Sequence, residues 1–303
     1  MANPAFLMPS IDTAGRRLTV EAALANPTTI RHRIAQLVAR RTIASAFVNA
    51  SGEKVQGGGI LHSVIRPEDL YSSDVEDRAP GNEYKSVVVN EPTFDLAKLQ
   101  DFGGFYEVTD EERDRNIQDV VDERTTALSN TILRTLDRRV LAAVDAAVAA
   151  VPDGGGTIPG VDVTAIERNG DPASQTATAQ RFEAVLAAVN LAAEVDEMGL
   201  EFTDLVMSPA DRSALALAYS SDLPGVLEAF GFERITSSPL VTAGTAYAVA
   251  PGQAGRIGYE RPLTVEVIPA RERRTTRIQA YLVPAVAVTN PYAIKRITGL
   301  QGA

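Results

Sequence analysis

The chain has 303 residues, 45% of them hydrophobic, and a formal net charge of -10 at pH 7. Its length and hydrophobic content allow a large buried core, in one large or two ordinary domains. The absence of cysteine excludes disulfides, a thiolate nucleophile and a cysteine-ligated zinc site. Because no run of about 18 apolar residues and no leader pattern is present, we expect a soluble protein made in a cytoplasm.

Charge is distributed unevenly along the chain. Residues 1–47 have an excess of arginine, whereas residues 48–123 have an excess of acids. This pattern suits nucleic-acid binding, and it suits equally an arm of one copy that lies on the body of another copy. Charge alone does not choose between the two.

The first 47 residues are predicted to be an extended arm that contains one amphipathic helix. Asn26 is a suitable N-cap for this helix and Pro27 suits its first position. Its apolar stripe is formed by Ile30, Ile34, Leu37 and Val38. A stripe this narrow needs a partner surface.

Short strand patterns separated by turns follow, over residues 43–108. Segments 84–89 and 93–99 have strand composition, and we expect them to form a long two-stranded ribbon. An isolated ribbon is marginally stable in water, so this one also needs a surface to lie against.

One long helix is predicted over residues 109–151. Thr109 and Glu112 have the spacing of a capping box, and Asp110 and Glu111 place negative charge at the positive end of the helix dipole. With no breaker inside it, the helix would be a rod of about 60 Å. Its apolar face is formed by Ile117, Val121, Leu128, Ile132, Leu136, Val140, Val144 and Val148.

An α/β module is predicted over residues 153–261. It contains a helix over 180–198, a buried strand at 205–207, and a helix capped by Ser208 that runs from Pro209 to about Tyr219. The last part of the chain is mostly strand, at 263–268, 275–289 and 293–297.

The sequence contains no recognisable catalytic, cofactor-binding or metal-binding motif. His32 and His62 are the only histidines, and neither has a second ligand at metal-binding spacing, so we assign both to surface or packing roles. No nucleophile elbow, Walker loop or dinucleotide motif occurs. The adjacent carboxylates of Asp110, Glu111 and Glu112 are explained by the helix dipole. We therefore predict no catalytic, cofactor-binding or metal-binding residue, and no enzyme.

Three phrases resemble the major capsid proteins of tailed bacteriophages, whose HK97 fold is shared with encapsulins. They are Asp-Arg-Ala-Pro-Gly at 77–81, Val-Thr-Asp-Glu at 108–111, and Val-Thr-Asn-Pro-Tyr-Ala-Ile-Lys-Arg-Ile-Thr-Gly at 288–299. Each phrase is short, but their order and spacing cover nearly the whole chain.

The resemblance implies an α+β, HK97-like capsid fold. It would divide the chain into an N-terminal arm (1–47), an extended-loop region (48–100), a peripheral domain with a spine helix (101–152), an axial domain (153–261) and return strands of the peripheral domain (262–303). The implied function is a structural shell protein of the virion, assembled in the bacterial cytoplasm as hexamers and pentamers around double-stranded DNA. Implied partners are further copies, a separate scaffolding protein, a portal and decoration proteins; no cofactor and no membrane is implied.

Charged residues of the arm, the extended loop and the helix start are the predicted inter-subunit contacts. We expect the arginines among them to pair with carboxylates of neighbouring copies. The predicted contact residues are Arg31, Arg33, Arg40, Arg41, Arg78, Glu83, Lys85, Asp110, Glu111 and Glu112.

The sequence is also compatible with two other functions. An encapsulin-type shell would hold protein cargo instead of DNA. A helical adaptor that dimerises through the long rod is the second, although Arg124 and Thr131 interrupt the apolar positions that a coiled coil needs.

Overall fold

The computed structural model describes residues 42–115, 118–168 and 173–302, and two short strands near the N-terminus. The strands are β1 (Ile11–Asp12), β2 (Arg17–Leu18), β3 (Asn49–Lys54), β4 (Gly59–Val64), β5 (Thr93–Lys98), β6 (Phe102–Thr109), β7 (Thr157–Pro159), β8 (Asp204–Met207), β9 (Arg234–Ser237), β10 (Thr245–Val249), β11 (Gly255–Ala270), β12 (Thr275–Val288) and β13 (Ile294–Thr298). The α-helices are α1 (Ala44–Phe47), α2 (Asp110–Asp114), α3 (Gln118–Ala149), α4 (Phe182–Val195), α5 (Pro209–Tyr219) and α6 (Leu223–Ala229). Among these described helices, none is both long and apolar enough to cross a membrane.

A four-stranded sheet supports the long helix α3. Its strand order is β3-β11-β12-β6, with β3 parallel to β11 and the other pairs antiparallel. Alternate residues of β12, Ile278, Ala280 and Leu282, are buried on the face that α3 covers. This alternation follows from the two-residue period of a strand.

A five-stranded mixed sheet forms the centre of the α/β module, in the order β7-β13-β10-β8-β9. The four residues of β8 are all buried, as the apolar segment predicted at 205–207 requires. Helix α5 begins as predicted, since Ser208 Oγ accepts a hydrogen bond from the Asp211 amide. The inward face predicted for the 180–198 helix is also confirmed, because Phe182, Val185 and Leu186 are buried in α4.

The two sheets share one hydrophobic core. Phe47 of α1 meets the ring of Tyr247 of β10 edge to face, with 5.6 Å between the ring centres. The Tyr247 hydroxyl donates to Asp145 Oδ1 of α3 at 2.8 Å. The short helix before β3 therefore joins the long helix to the α/β module.

The predicted single helix over 109–151 is wrong in one respect, because the structure divides it into α2 and α3. The capping box forms as predicted: Thr109 Oγ1 accepts from the Glu112 amide, and Glu112 Oε2 accepts from the Thr109 amide. Arg124 of α3 then bonds to Glu112 at 2.8 Å. Residues 12 apart lie about 18 Å apart along a continuous helix, too far for these side chains to meet. Glu112 and Arg124 therefore do not belong to one continuous helix.

The predicted ribbon exists with a different first strand. Strand β5 coincides with segment 93–99, but its partner is β4, paired from Gly59 opposite Lys98 to Val64 opposite Thr93. Segment 84–89 is not a strand and has only one bridge, between Ser72 and Val89. The turn at Gly57 and Gly58, both with positive φ, directs the chain into β4.

Candidate assembly surfaces

The ribbon of β4 and β5 has one covered face and one exposed apolar face. Its attachment is to the end of β12, where the Ile65 amide donates to the Thr289 carbonyl at 2.8 Å and the Gln100 amide to the Pro284 carbonyl at 3.1 Å. On the outer face Leu61 lies opposite Leu96, and these side chains are 65% and 49% exposed. A pair of leucines facing water in this way is typical of a surface that another chain covers.

Residues 65–92, the part of the predicted extended-loop region 48–100 that is called the extended loop from here on, continue this exposed region. Every residue from 70 to 96 is exposed. Of the 16 large hydrophobic side chains that are exposed in the described residues, 11 belong to the loop and ribbon. They are Leu61, Ile65, Leu70, Tyr71, Val75, Tyr84, Val87, Val88, Val89, Phe94 and Leu96. This concentration separates the region from the scattered exposed hydrophobes of an ordinary surface.

Three predicted contact residues lie together in the extended loop. The Arg78 guanidinium stacks 4.8 Å from the centre of the Tyr84 ring, and its Nη1 donates to the Asn82 carbonyl at 2.9 Å. Lys85 pairs with Glu76 at 2.5 Å. Glu83 is exposed and has no ion-pair partner among the described residues. The loop is thus shaped by its own polar contacts while its apolar side chains face outward.

The three predicted contact residues at the helix start have partners in their own chain. Arg274 lies 4.0 Å from Asp110 and 3.8 Å from Glu111, and Arg124 bonds to Glu112. The hydrogen bond from Arg124 is the main reason why the pKa of Glu112 is lowered, and the Thr109 amide adds to it. Their contact with a neighbouring copy remains a prediction.

The predicted contact residues of the arm, Arg31, Arg33, Arg40 and Arg41, lie outside the described residues, as does His32. Next along the chain, Thr42 Oγ1 donates to Asp137 Oδ1 of α3 at 2.7 Å. The same oxygen accepts the amides of Ile43 and Ala44. Burial raises the pKa of Asp137, and these three hydrogen bonds oppose the rise. This carboxylate fixes the chain to the middle of α3 where the arm ends.

A cavity of about 490 Å³ lies between the covered face of the ribbon and the C-terminal turns of α3. Its wall is mainly alanine and valine, with His62 at one side. That histidine is 6% exposed and its Nδ1 lies 3.3 Å from the Ile60 carbonyl, consistent with the predicted packing role. In the described parts of the chain, no cluster of three histidine and carboxylate side chains could hold a metal ion.

Two surface features escaped the sequence reasoning. One is the apolar face of β4, because Leu61 belongs to a short segment that resembles a turn-rich connection. The other is the group of arginines at the tip of the β11-β12 hairpin, residues 271–274, whose exposure is visible only once both strands are paired. The available signal was Arg-Glu-Arg-Arg between two strand patterns, which is typical of an exposed turn.

Comparisons with known proteins found one matching family and several solved structures with a similar fold. The model of a family described as phage capsid protein matches residues 93–297, more than half of the chain. A search of curated proteins found no match.

Solved structures with a similar fold include the capsid of the cyanophage P-SCSP1u, 14% identical with a TM-score of 0.59 over 85% of this chain and 88% of that one. A structure from Microbacterium phage Oxtober96 is 13% identical, with a TM-score of 0.58 over 85% and 90%. A virus-like particle from Pyrococcus furiosus is 11% identical, with a TM-score of 0.51 over 89% and 98%.

Proposed function

The chain belongs to the phage capsid protein family, and on this premise we propose that its copies form hexamers and pentamers that close into an icosahedral shell around double-stranded DNA. Family membership makes it a structural protein of the virion capsid, and its fold is HK97-like. Further partners in the proposal are a separate scaffolding protein and a portal, with assembly in the host cytoplasm.

The exposed stretch 70–96 is the observation that carries this proposal. A single copy leaves the apolar side chains of the ribbon and loop in water, which costs free energy in proportion to their area. Covering them with another copy recovers that free energy. When each copy offers one patch and accepts another, contacts of this head-to-tail kind close into rings if the rotation allows.

The domain division is part of the same proposal. The α3 helix and the four-stranded sheet serve as the peripheral domain, and the five-stranded sheet as the axial domain. Strand β11 spans the proposed border at residue 261, and β13 pairs with β10 and β7. The last strand therefore ties the proposed return segment to the α/β module.

Electron microscopy of the purified full chain, alone and with a co-expressed scaffold, tests the shell. We expect closed particles for the wild type and loss of particles for Leu61→Ser/Leu96→Ser, with the folded chain retained. Leu191→Ser/Leu217→Ser is the matched control, because these leucines are 61% and 86% exposed but belong to α4 and α5, outside the ribbon and the loop. Particles that survive the ribbon substitutions would remove the proposed role of this surface.

The arm has its own test within the shell proposal. Reversing Arg40 and Arg41 to glutamate should stop shell formation and leave a folded chain, because their partners would be carboxylates of neighbouring copies. Exposed ion pairs contribute about 0–1 kcal/mol each, so the wild-type shell should also weaken at high salt. Unchanged particles from the reversed variant would contradict this role of the arm.

An encapsulin-like shell that holds protein cargo is the second candidate, and the fold is also similar to that of a virus-like particle. The net charge of -10 is compatible with DNA as contents, since a wall that bound phosphates tightly would hinder packing and release. Nuclease-protected DNA in particles from infected cells supports the first candidate; protein cargo without nucleic acid supports the second.

A further inference from the structure

The tip of the β11-β12 hairpin is an exposed basic surface. Residues 271–274 are all exposed, and three of the four are arginines. Arg274 has a left-handed backbone and lies near Asp110 and Glu111. For the side chains of Arg271 and Arg273, the described part of the chain supplies no hydrogen-bond or ion-pair partner. Two guanidinium groups therefore face solvent at this end of the sheet.

The extended loop is an exposed acidic surface. Residues 65–92 contain seven acids and three bases. Lys85 pairs with Glu76, and Arg78 is engaged by Tyr84 and the Asn82 carbonyl. Asp74 and Asp77 are exposed, and no described residue is their ion-pair partner. Val75, which lies between them in the sequence, is 82% exposed.

These two surfaces are attached at opposite ends of one strand. The loop leaves the sheet beside Pro284 and Thr289, where the Gln100 and Ile65 amides bond to the end of β12. The hairpin tip precedes Thr275, at the other end of β12. A strand of 14 residues is about 45 Å long. The geometry favours a contact in which the loop of one copy meets the tip of the next.

We infer that the acidic extended loop of one copy binds the basic hairpin tip of a neighbouring copy, with Arg271 and Arg273 paired to Asp74 and Asp77. This inference rests on the proposed shell and names a specific contact within it. Opposite charge directs the encounter and the register of the copies, while the apolar residues around Val75 provide area to bury. A contact between two different patches of one chain is heterologous, as ring closure requires.

A charge-swap experiment on the full chain tests the contact. Arg271→Glu/Arg273→Glu should raise the protein concentration needed for half-maximal assembly about tenfold or more, and Asp74→Arg/Asp77→Arg should do the same. The four changes together should restore assembly, because the pairs re-form with reversed sign. Sedimentation velocity measures assembly, and circular dichroism melting confirms that each variant is folded.

A matched control separates the contact from net charge. Adding Glu201→Arg/Glu228→Arg to the tip variant gives the same net charge as the four-change swap, but places the new arginines in the α/β module, where both positions are exposed. This control should not restore assembly. If the glutamate tip variant misfolds, Arg271→Gln/Arg273→Gln is used, and it should lose part of the salt dependence of wild-type assembly.

Several results would overturn the inference. The inference is wrong if the wild type forms shells and the tip variant Arg271→Glu/Arg273→Glu assembles at the same protein concentration. It is also wrong if the four-change swap restores assembly no better than the control with Glu201→Arg/Glu228→Arg. Normal shells that have lost only DNA would assign the tip to phosphate binding instead. Absence of any wild-type assembly would remove the proposed shell, and the inference with it.

Discussion

Strands β8 and β5 have similar lengths and opposite surroundings. All four residues of β8 are buried in the five-stranded sheet, whereas five of the six residues of β5 are exposed. Leu205 is 0% exposed and Leu96 is 49% exposed. Both strands contain one leucine, preceded in each case by an aspartate. The apolar content of a segment therefore indicates that its side chains gain stability from burial. It does not indicate whether they are buried by the same chain or by another chain.

The polar groups follow the same division. In the α/β module Lys295 is fully buried and bonded to Asp196, and Tyr219 Oη accepts the amide of Phe182. In the extended loop the ion pair of Lys85 with Glu76 is exposed at both ends. Breaking interactions in the module should therefore affect the stability of one chain, and changes in the loop should affect contact between chains.

Two phenylalanines give the largest expected contrast. Phe182 is fully buried at the start of α4, and Phe94 of β5 is 61% exposed. Phe182→Ala should lower the free energy of unfolding by about 3–5 kcal/mol through the cavity it leaves. Phe94→Ala should change it by less than about 0.5 kcal/mol. Urea denaturation of the unassembled chain measures both, and similar losses at the two sites would contradict the division.

Two lysines give the next contrast. Lys295→Met leaves the Asp196 carboxylate without its buried cation, and we expect a loss of about 3 kcal/mol in the free energy of unfolding. Adding Asp196→Leu should recover most of that loss. Lys85→Met, in the exposed pair with Glu76, is the control and should cost less than about 0.5 kcal/mol. Denaturant unfolding measures the free energy of unfolding of each variant. Equal losses for Lys85→Met and Lys295→Met would contradict the expected difference.

The capping box at Glu112 gives the smallest effect, and one that depends on pH. Because Arg124 and the Thr109 amide lower the pKa of Glu112, its carboxylate stabilises the fold above the ordinary value of about 4.5. This contribution is lost as pH falls through the lowered pKa. Glu112→Gln should therefore cost about 1 kcal/mol at pH 7 and progressively less in acid.

Glu83→Gln in the extended loop is the control for that measurement, since Glu83 has no ion-pair partner among the described residues. Unfolding free energies at pH 7 and at pH values below about 4.5 would be compared for both variants. A Glu112 effect that stayed constant with pH would show that the carboxylate charge has no role in the cap.

Much of the local structure was predictable because it depends on neighbours in the sequence. Helices α4 and α5, the buried strand β8 and the capping box of Thr109 with Glu112 follow from periodicity and from side chains three or four residues apart. Three predicted contact residues of the extended-loop region, Arg78, Glu83 and Lys85, are exposed, and their contact with another copy stays a prediction.

Tertiary structure alone decided how those elements meet. The break between α2 and α3 accompanies the hydrogen bond of Arg124 to Glu112. No helix-breaking residue between 109 and 151 predicts this break. The pairing of β5 with β4 instead of segment 84–89 accompanies hydrogen bonds from the flanking residues to the end of β12. Likewise, only strand pairing places the arginine tip and the acidic loop at opposite ends of the sheet. Such choices depend on residues far apart in the chain, whose separations in space the sequence does not contain.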